Sequence, residues 1–193
     1  MPIGVLALQG DFREHIQALR SCGASAIEVR TSAELESCEG LIIPGGESTV
    51  IQKLAINYHL FEPIQNKINS GFPVFGTCAG LIMLADEILD GIPGQLGFGG
   101  LDVSVRRNAF GNQLDSFETD LNFLGISGEP VHAAFIRAPI VERVGPDVNV
   151  LSKLDDGTVV AVQSQNILGI SFHPEVTGEK RIHQYFIDLV KTA

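Results

Sequence analysis

The stretch Gly76-Thr77-Cys78-Ala79-Gly80 sets one thiol among small residues, between the apolar runs Phe72–Phe75 and Leu81–Ala85. The pattern Gly-x-Cys-x-Gly has the form of a nucleophile elbow, with cysteine in place of serine. Glycines on both sides permit a sharp turn and leave room for neighbouring strands and for a substrate. A helix beginning just after Cys78 favours the thiolate, which is the nucleophilic form. It also leaves the Ala79 N–H free to bind an oxyanion. A buried cysteine in a packed turn has the same local sequence, so the motif acquires meaning only with a base.

Among the five histidines, His173 follows the apolar run Leu168–Phe172 and opens His173-Pro174-Glu175. Proline cannot continue a central strand, so the chain leaves the sheet there. In extended backbone, residues two apart point to the same side, which places the Glu175 carboxylate beside the imidazole. The order Cys78, His173, Glu175 then reads as nucleophile, base and orienting acid. His15, His59, His132 and His183 have no carboxylate at a matching offset at a strand end, and read as surface or core residues. A third element is Pro44-Gly45-Gly46-Glu47-Ser48, which follows the run Gly40–Ile43. Two glycines before a helix offer N–H groups to an oxyanion or carbonyl. The P-loop ending Gly-Lys-Ser/Thr is absent, and a plain capped turn fits the same residues.

The elements that must position these groups alternate in the first half. Strands are expected at Ile3–Leu8, Ala26–Val29, Gly40–Ile43 and Phe72–Phe75. Helices are expected over Phe12–Arg20 with Gly23 at its C-terminal end, from an N-cap at Ser48 through Leu54, over Leu60–Asn69, and from about Ala79. Strands separated by helices build a parallel sheet covered on both faces. Functional groups in such a sheet gather beyond the C-terminal strand ends. The second half offers strands at Leu101–Val105, Leu114–Glu118, Val131–Ile136, Val150–Leu154, Thr158–Gln163 and Leu168–Phe172, an antiparallel stretch joined by turns. An amphipathic helix closes the chain, with Ile182, Tyr185, Phe186, Leu189 and Val190 on one stripe and Thr177 as its expected N-cap. The fold class is α/β: a three-layer, doubly wound, mostly parallel sheet of flavodoxin-like type with an antiparallel appendage, in one domain over residues 1–193.

Composition narrows the function. The 193 residues carry a net charge of −10, which disfavours nucleic acid as a partner, and the basic residues form no large cluster. No apolar run is long enough to span a membrane, and the N-terminus has no secretion signal. Three cysteines with no Cys-x-x-Cys spacing argue against a disulfide framework or a cysteine-rich zinc site and suit a reduced, cytoplasmic compartment. Cys22 and Cys38 read as structural.

With these residues in hand, the upstream Pro-Gly-Gly, the Gly-x-Cys-x-Gly and the downstream His-Pro-Glu resemble the class I, triad-type glutamine amidotransferases. Further motifs narrow the resemblance to the family of glutaminase subunits of pyridoxal 5′-phosphate synthase. They are Leu6–Gly10 (LALQG), Pro44–Thr49 (PGGEST), Phe75–Leu81 (FGTCAGL), Arg107–Gly111 (RNAFG), Asp115–Glu118 (DSFE), Phe135–Pro139 (FIRAP) and Ser171–Glu175 (SFHPE), in that order over nearly the whole chain. The segment Asp90–Gly100 and Asp11-Phe12 carry nothing over.

The resemblance implies that Cys78 attacks the side-chain amide of L-glutamine, that His173 shuttles the proton and that Glu175 orients it. Gly46, Glu47, Ser48, Arg107, Ile136 and Arg137 are then the glutamine-binding residues. Gly45, Gly46 and Ala79 are the expected oxyanion hole, with Gln9 and Gly10 at the same edge. The implied chemistry passes through a γ-glutamyl thioester and needs neither metal nor organic cofactor. The implied partner is a (β/α)8-barrel, ring-forming synthase subunit that receives the ammonia and completes the oxyanion hole on docking. Two alternatives stand beside this one: a stand-alone hydrolase of the same fold, and a non-catalytic redox-sensing or binding domain with Cys78 as an oxidisable thiol.

Overall fold

The structure is a computed structural model, and it describes residues 1–107 and 116–193. The motif residues Asn108–Gly111 and Asp115, and the expected strand start at Leu114, lie outside the described residues.

Short strands rich in Ile, Leu and Val assemble a ten-stranded sheet. Its parallel half consists of β1 (Ile3–Leu6), β2 (Ala26–Val29), β3 (Gly40–Ile43), β4 (Val74–Thr77) and β12 (Ile167–Ile170), in the spatial order β2-β1-β3-β4-β12. All four residues of β1, β3, β4 and β12 are buried, as expected for strands covered on both faces. The sheet continues through β11 (Val159–Ser164), β9 (Ile140–Val144), β6 (Leu101–Arg106) and β5 (Ala85–Ile88), while β10 (Asn149–Lys153) also pairs with β11.

Alternation along the strands feeds two cores. Leu41, Ile43 and Val74 face one side with α2 (Ser32–Glu36), α3 (Ser48–Asn57), α4 (Phe61–Asn69) and α5 (Ala79–Leu84). Ile42, Phe75, Leu168 and Ile170 face the other, under α1 (Phe12–Ser21) and α7 (Lys180–Thr192). A separate antiparallel pair, β7 (Ser116–Leu121) and β8 (Val131–Ile136), packs on that second side through Phe135, and α6 (Pro174–Thr177) precedes α7. The three-layer α/β expectation therefore holds. Among the described residues, no helix is long and apolar enough to cross a membrane.

Several local expectations are corrected. The second half is not antiparallel throughout: β12 returns to the parallel half beside β4, and β5 pairs parallel with β6. That placement puts His173 next to Cys78. Ser48 is the first residue of α3, and Glu47 is the N-cap. Thr177 belongs to α6, and the N-cap of α7 is Glu179, whose carboxylate accepts from the Arg181 N–H. Helix α2 was not expected, although Thr31 and Glu34 form a capping box there. Strands β5 and β9 were also not expected: Ala85–Ile88 follows α5 without a break, and its centre is the acidic pair Asp86-Glu87.

Candidate active site

The C-terminal ends of β1, β3, β4 and β12 lie side by side, and each delivers one part of the site. At the end of β4, Cys78 adopts φ 50° and ψ −103°, a left-handed conformation for a non-glycine residue, and then caps α5. A strained turn of this kind is the elbow geometry. The flanking glycines are required by packing. A Cβ on Gly80 would lie 2.0 Å from the Ile43 carbonyl oxygen, and one on Gly76 would lie 2.5 Å from the Gly80 backbone. Both glycines therefore serve the approach of α5 onto β3 and β4. The expectation that they make room for a substrate is corrected: their open sides face protein backbone.

Beyond β12, His173 caps α6 with Pro174 at its first position. Its Nδ1 lies 2.7 Å from Oε1 of Glu175, whose side chain is fully buried. The contact is made across the first turn of α6, not by the extended alternation read from the sequence. Burial lowers the His173 pKa, but the hydrogen bonds and charges of Cys78 and Glu175 outweigh it and raise the value to about 10. The ring is thus held as an imidazolium beside the Cys78 sulfur, a base placed next to a thiol as a thiol nucleophile needs. The Cys78 sulfur also lies 3.8 Å from the Ile136 carbonyl oxygen.

The turn after β3 packs against this ring, since a Cβ on Gly45 would lie 2.4 Å from His173 Cε1. The Gly45 carbonyl accepts from the Asp11 N–H at 3.2 Å, and the Glu47 N–H donates to Gln9 Oε1 at 2.8 Å. Residues Gln9 to Asp11, at the end of β1, therefore hold the expected oxyanion turn from behind. Ala79 is buried and opens α5, so its N–H has no acceptor within the helix.

One cavity of about 510 Å³ is lined by Cys78, His173, Gly46, Glu47, Ser48, Arg107, Ile136 and Arg137. Every residue expected to bind the substrate therefore lines the same cavity as Cys78, and its size is usual for small-molecule pockets. Arg107 donates to Glu47 Oε1 at 3.0 Å and to Gln95 Oε1 at 2.9 Å. Arg137 follows β8 at φ 46°, a second strained non-glycine residue at the rim.

Three positions went unrecognised in the sequence. Gln95 donates to Ser48 Oγ at 3.0 Å and accepts from Arg107, so it ties two walls of the cavity together. It lies in a glycine-rich loop without periodicity, which offers no signal. Asp11 lines the cavity with a carboxylate oxygen 3.8 Å from His173 Nδ1; burial raises its pKa, His173 opposes that, and Glu14 adds to it. His15 sits on the apolar stripe of α1 with Phe12, Ile16 and Leu19, and its helical spacing is the one visible clue. Asp11, His173 and Glu175 place ligand atoms within 4.8 Å of one another. The Nδ1 that a metal would use is already committed to Glu175.

Comparison with known proteins shows the family. The model of the SNO glutamine amidotransferase family matches residues 5–192. A protein of Leifsonia xyli subsp. xyli named pyridoxal 5′-phosphate synthase subunit PdxT is 60% identical over 185 residues, covering 96% of this chain and 93% of that protein. A relative of the same name from Clavibacter sepedonicus is 57% identical over 99% of this chain and 91% of its own length. A solved structure described as a glutamine amidotransferase superposes with a TM-score of 0.92 at 47% identity, covering 99% of this chain and 100% of that one. With a family model spanning nearly all of its length and relatives above half identity, the chain belongs to the SNO glutamine amidotransferase family.

Proposed function

We propose that this chain is the glutaminase subunit of a pyridoxal 5′-phosphate synthase: one domain over residues 1–193 that hydrolyses L-glutamine to L-glutamate and ammonia and passes the ammonia to a partner synthase subunit. The observation that carries the reading is the 2.7 Å contact between His173 and Glu175 beside a cysteine held at φ 50° on the same cavity.

The anionic sulfur of Cys78 adds to the side-chain amide carbonyl. The resulting oxyanion takes hydrogen bonds from Ala79 and the Gly45-Gly46 turn. His173, protonated and steadied by Glu175, gives its proton to the departing nitrogen, and ammonia leaves as the γ-glutamyl thioester forms. Water then attacks the thioester, His173 accepts its proton, and glutamate is released with the sulfur restored. The far end of the substrate is a zwitterion and needs one cation and one anion. Arg107 and Glu47 present that pair 3.0 Å apart, and an arginine fork suits the α-carboxylate. Ile136 and Arg137 line the same cavity. The partner is a (β/α)8 barrel of a ring-shaped assembly in the cytoplasm, and its docking completes the oxyanion hole.

The deciding experiment is a glutaminase assay on the chain alone and with its synthase subunit. Ammonia release should depend on glutamine and rise when the subunit is added. Full activity without it would favour a stand-alone hydrolase. Unchanged activity in Cys78→Ala within the complex would leave the non-catalytic reading.

A further inference from the structure

Behind Glu175 the mechanism leaves two buried histidines unused. His15 and His183 are fully buried, on α1 and α7. Their facing nitrogens, His15 Nδ1 and His183 Nε2, are 2.9 Å apart. The other nitrogen of His15, Nε2, lies 3.1 Å from Thr77 Oγ1 and 3.6 Å from Glu175 Oε2. That carboxylate oxygen is buried and has no hydrogen-bond partner of its own.

From this arrangement we infer that His15 is a positioning residue of the catalytic machinery: its Nε2–H is directed at Glu175 Oε2, and His183 fixes the tautomer that puts the proton there. The inference rests on the triad reading given above.

The argument is one of proton counting. Burial depresses the His15 pKa well below the usual value, and the charges of His183 and His173 add to the effect; burial likewise pushes His183 down to about 4. Both rings are therefore neutral near pH 7, with one N–H each. Between the two facing nitrogens there is room for one proton. If His15 holds it on Nδ1, its Nε2 turns a lone pair towards the Glu175 carboxylate, and the buried oxygen is left with no donor. If His183 holds it on Nε2, His15 accepts at Nδ1 and carries its own proton on Nε2, between Thr77 and Glu175. A bare buried carboxylate oxygen costs more than a bare imidazole nitrogen, because it carries charge. The second arrangement wins; it forgoes a contact from His183 to the Glu179 backbone and leaves His183 Nδ1 without a hydrogen bond.

The 3.6 Å separation is longer than a formed N–H···O bond. Catalytic hydrogen bonds are often long outside the reacting complex and tighten within it. When the contact closes, it stops the Glu175 carboxylate from turning, so that Oε1 stays on His173. His15 touches no reacting atom; it acts through Glu175.

Two measurements test this on the full chain. In protein labelled with 15N-histidine, the His15 ring should show the Nε2–H tautomer; a proton on Nδ1 overturns the inference, with no variant needed. In the assembled synthase, His15→Phe removes the donor at similar volume, and kcat should fall about tenfold to hundredfold, as outer partners of active groups commonly do. KM for glutamine should stay within about twofold, because the substrate walls are untouched. His15→Gln, whose amide can donate to the same oxygen, should recover part of the loss. A folded His15→Phe protein with unchanged kcat overturns the inference, as does a His15→Gln protein no better than it. The triad reading fails separately, through activity that survives Cys78→Ala.

Discussion

The two sides of His173 are built from opposite materials. Behind the ring, Glu175, His15, His183 and Thr77 are sealed from water. In front, Glu47 is half exposed and Arg107 reaches it from a largely covered position, with Gln95 as their cross-brace. Interactions in the sealed shell are unscreened, so a small displacement there alters the charge on the catalytic groups. Those in front compete with water and salt and can adapt to a substrate. On the proposed mechanism, the rear then bears on the rate of the chemistry, and the front on how well glutamine is held. Variants of the rear should act on kcat, and variants of the front on KM.

The largest effect expected is on the reacting pair itself. Cys78→Ala and His173→Asn should lower ammonia release in the assembled synthase by at least about four orders of magnitude, to below detection. Measurable turnover in either variant removes the basis for the comparison.

Glu175→Gln keeps the shape of the rear but not its charge. A loss of roughly two to three orders of magnitude in kcat is expected, less than for removal of the nucleophile, because the ring loses the anion that orients it. Equal losses in kcat and in glutamine binding would show that rear and front are not separable.

The front is sharpened by a pair of variants. Arg107→Ala removes the cation proposed to pair with the α-carboxylate and should raise KM by about tenfold to hundredfold with kcat little changed. Gln95→Ala, which loosens Arg107 and Ser48 without removing either, should raise KM by only about fivefold. Initial-rate kinetics over glutamine concentration decides both.

The smallest effect concerns stability. His15 and His183 are neutral in the fold but take up protons once unfolded below their ordinary value of 6.5. The unfolded chain then binds more protons, so stability is complete above about pH 6.5 and declines as the pH falls towards the folded value of about 4 for His183. That group alone sets an upper bound of roughly 3 kcal/mol. His173 has the opposite sign: with its pKa raised to about 10, its contribution is in place below 6.5 and is lost as the pH rises towards that value. Urea unfolding at pH 7 and pH 5 should show the acid loss, and His183→Phe should reduce it. An unreduced loss in that variant would assign the acid sensitivity to the carboxylates alone.

The placement of Cys78, His173 and Glu175 on one edge was legible because each sits where local chemistry punctuates the chain: a glycine-flanked thiol, a proline that ends a strand, and a glutamate two residues from a histidine. The parallel half was legible too, since Gly40–Ile43 and Ala26–Val29 are apolar runs bounded by turn residues. The second half was harder. Nothing local distinguishes Ile167–Ile170 as a strand that inserts beside β4, because pairing is decided by partners about 90 residues away.

By itself, then, the sequence determined the chemistry available and the family resemblance: a thiol, a histidine and a carboxylate, and the edge of the sheet that holds them. Tertiary structure alone decided what surrounds them. It showed that Gly76 and Gly80 admit backbone instead of substrate, that Gln95 braces the cavity, and that His15 and His183 meet behind Glu175 although 168 positions separate them. The physical reason is range. Caps, turns and periodicity are written within a few residues, whereas burial, and the charge state it imposes, depends on every element that closes over a group.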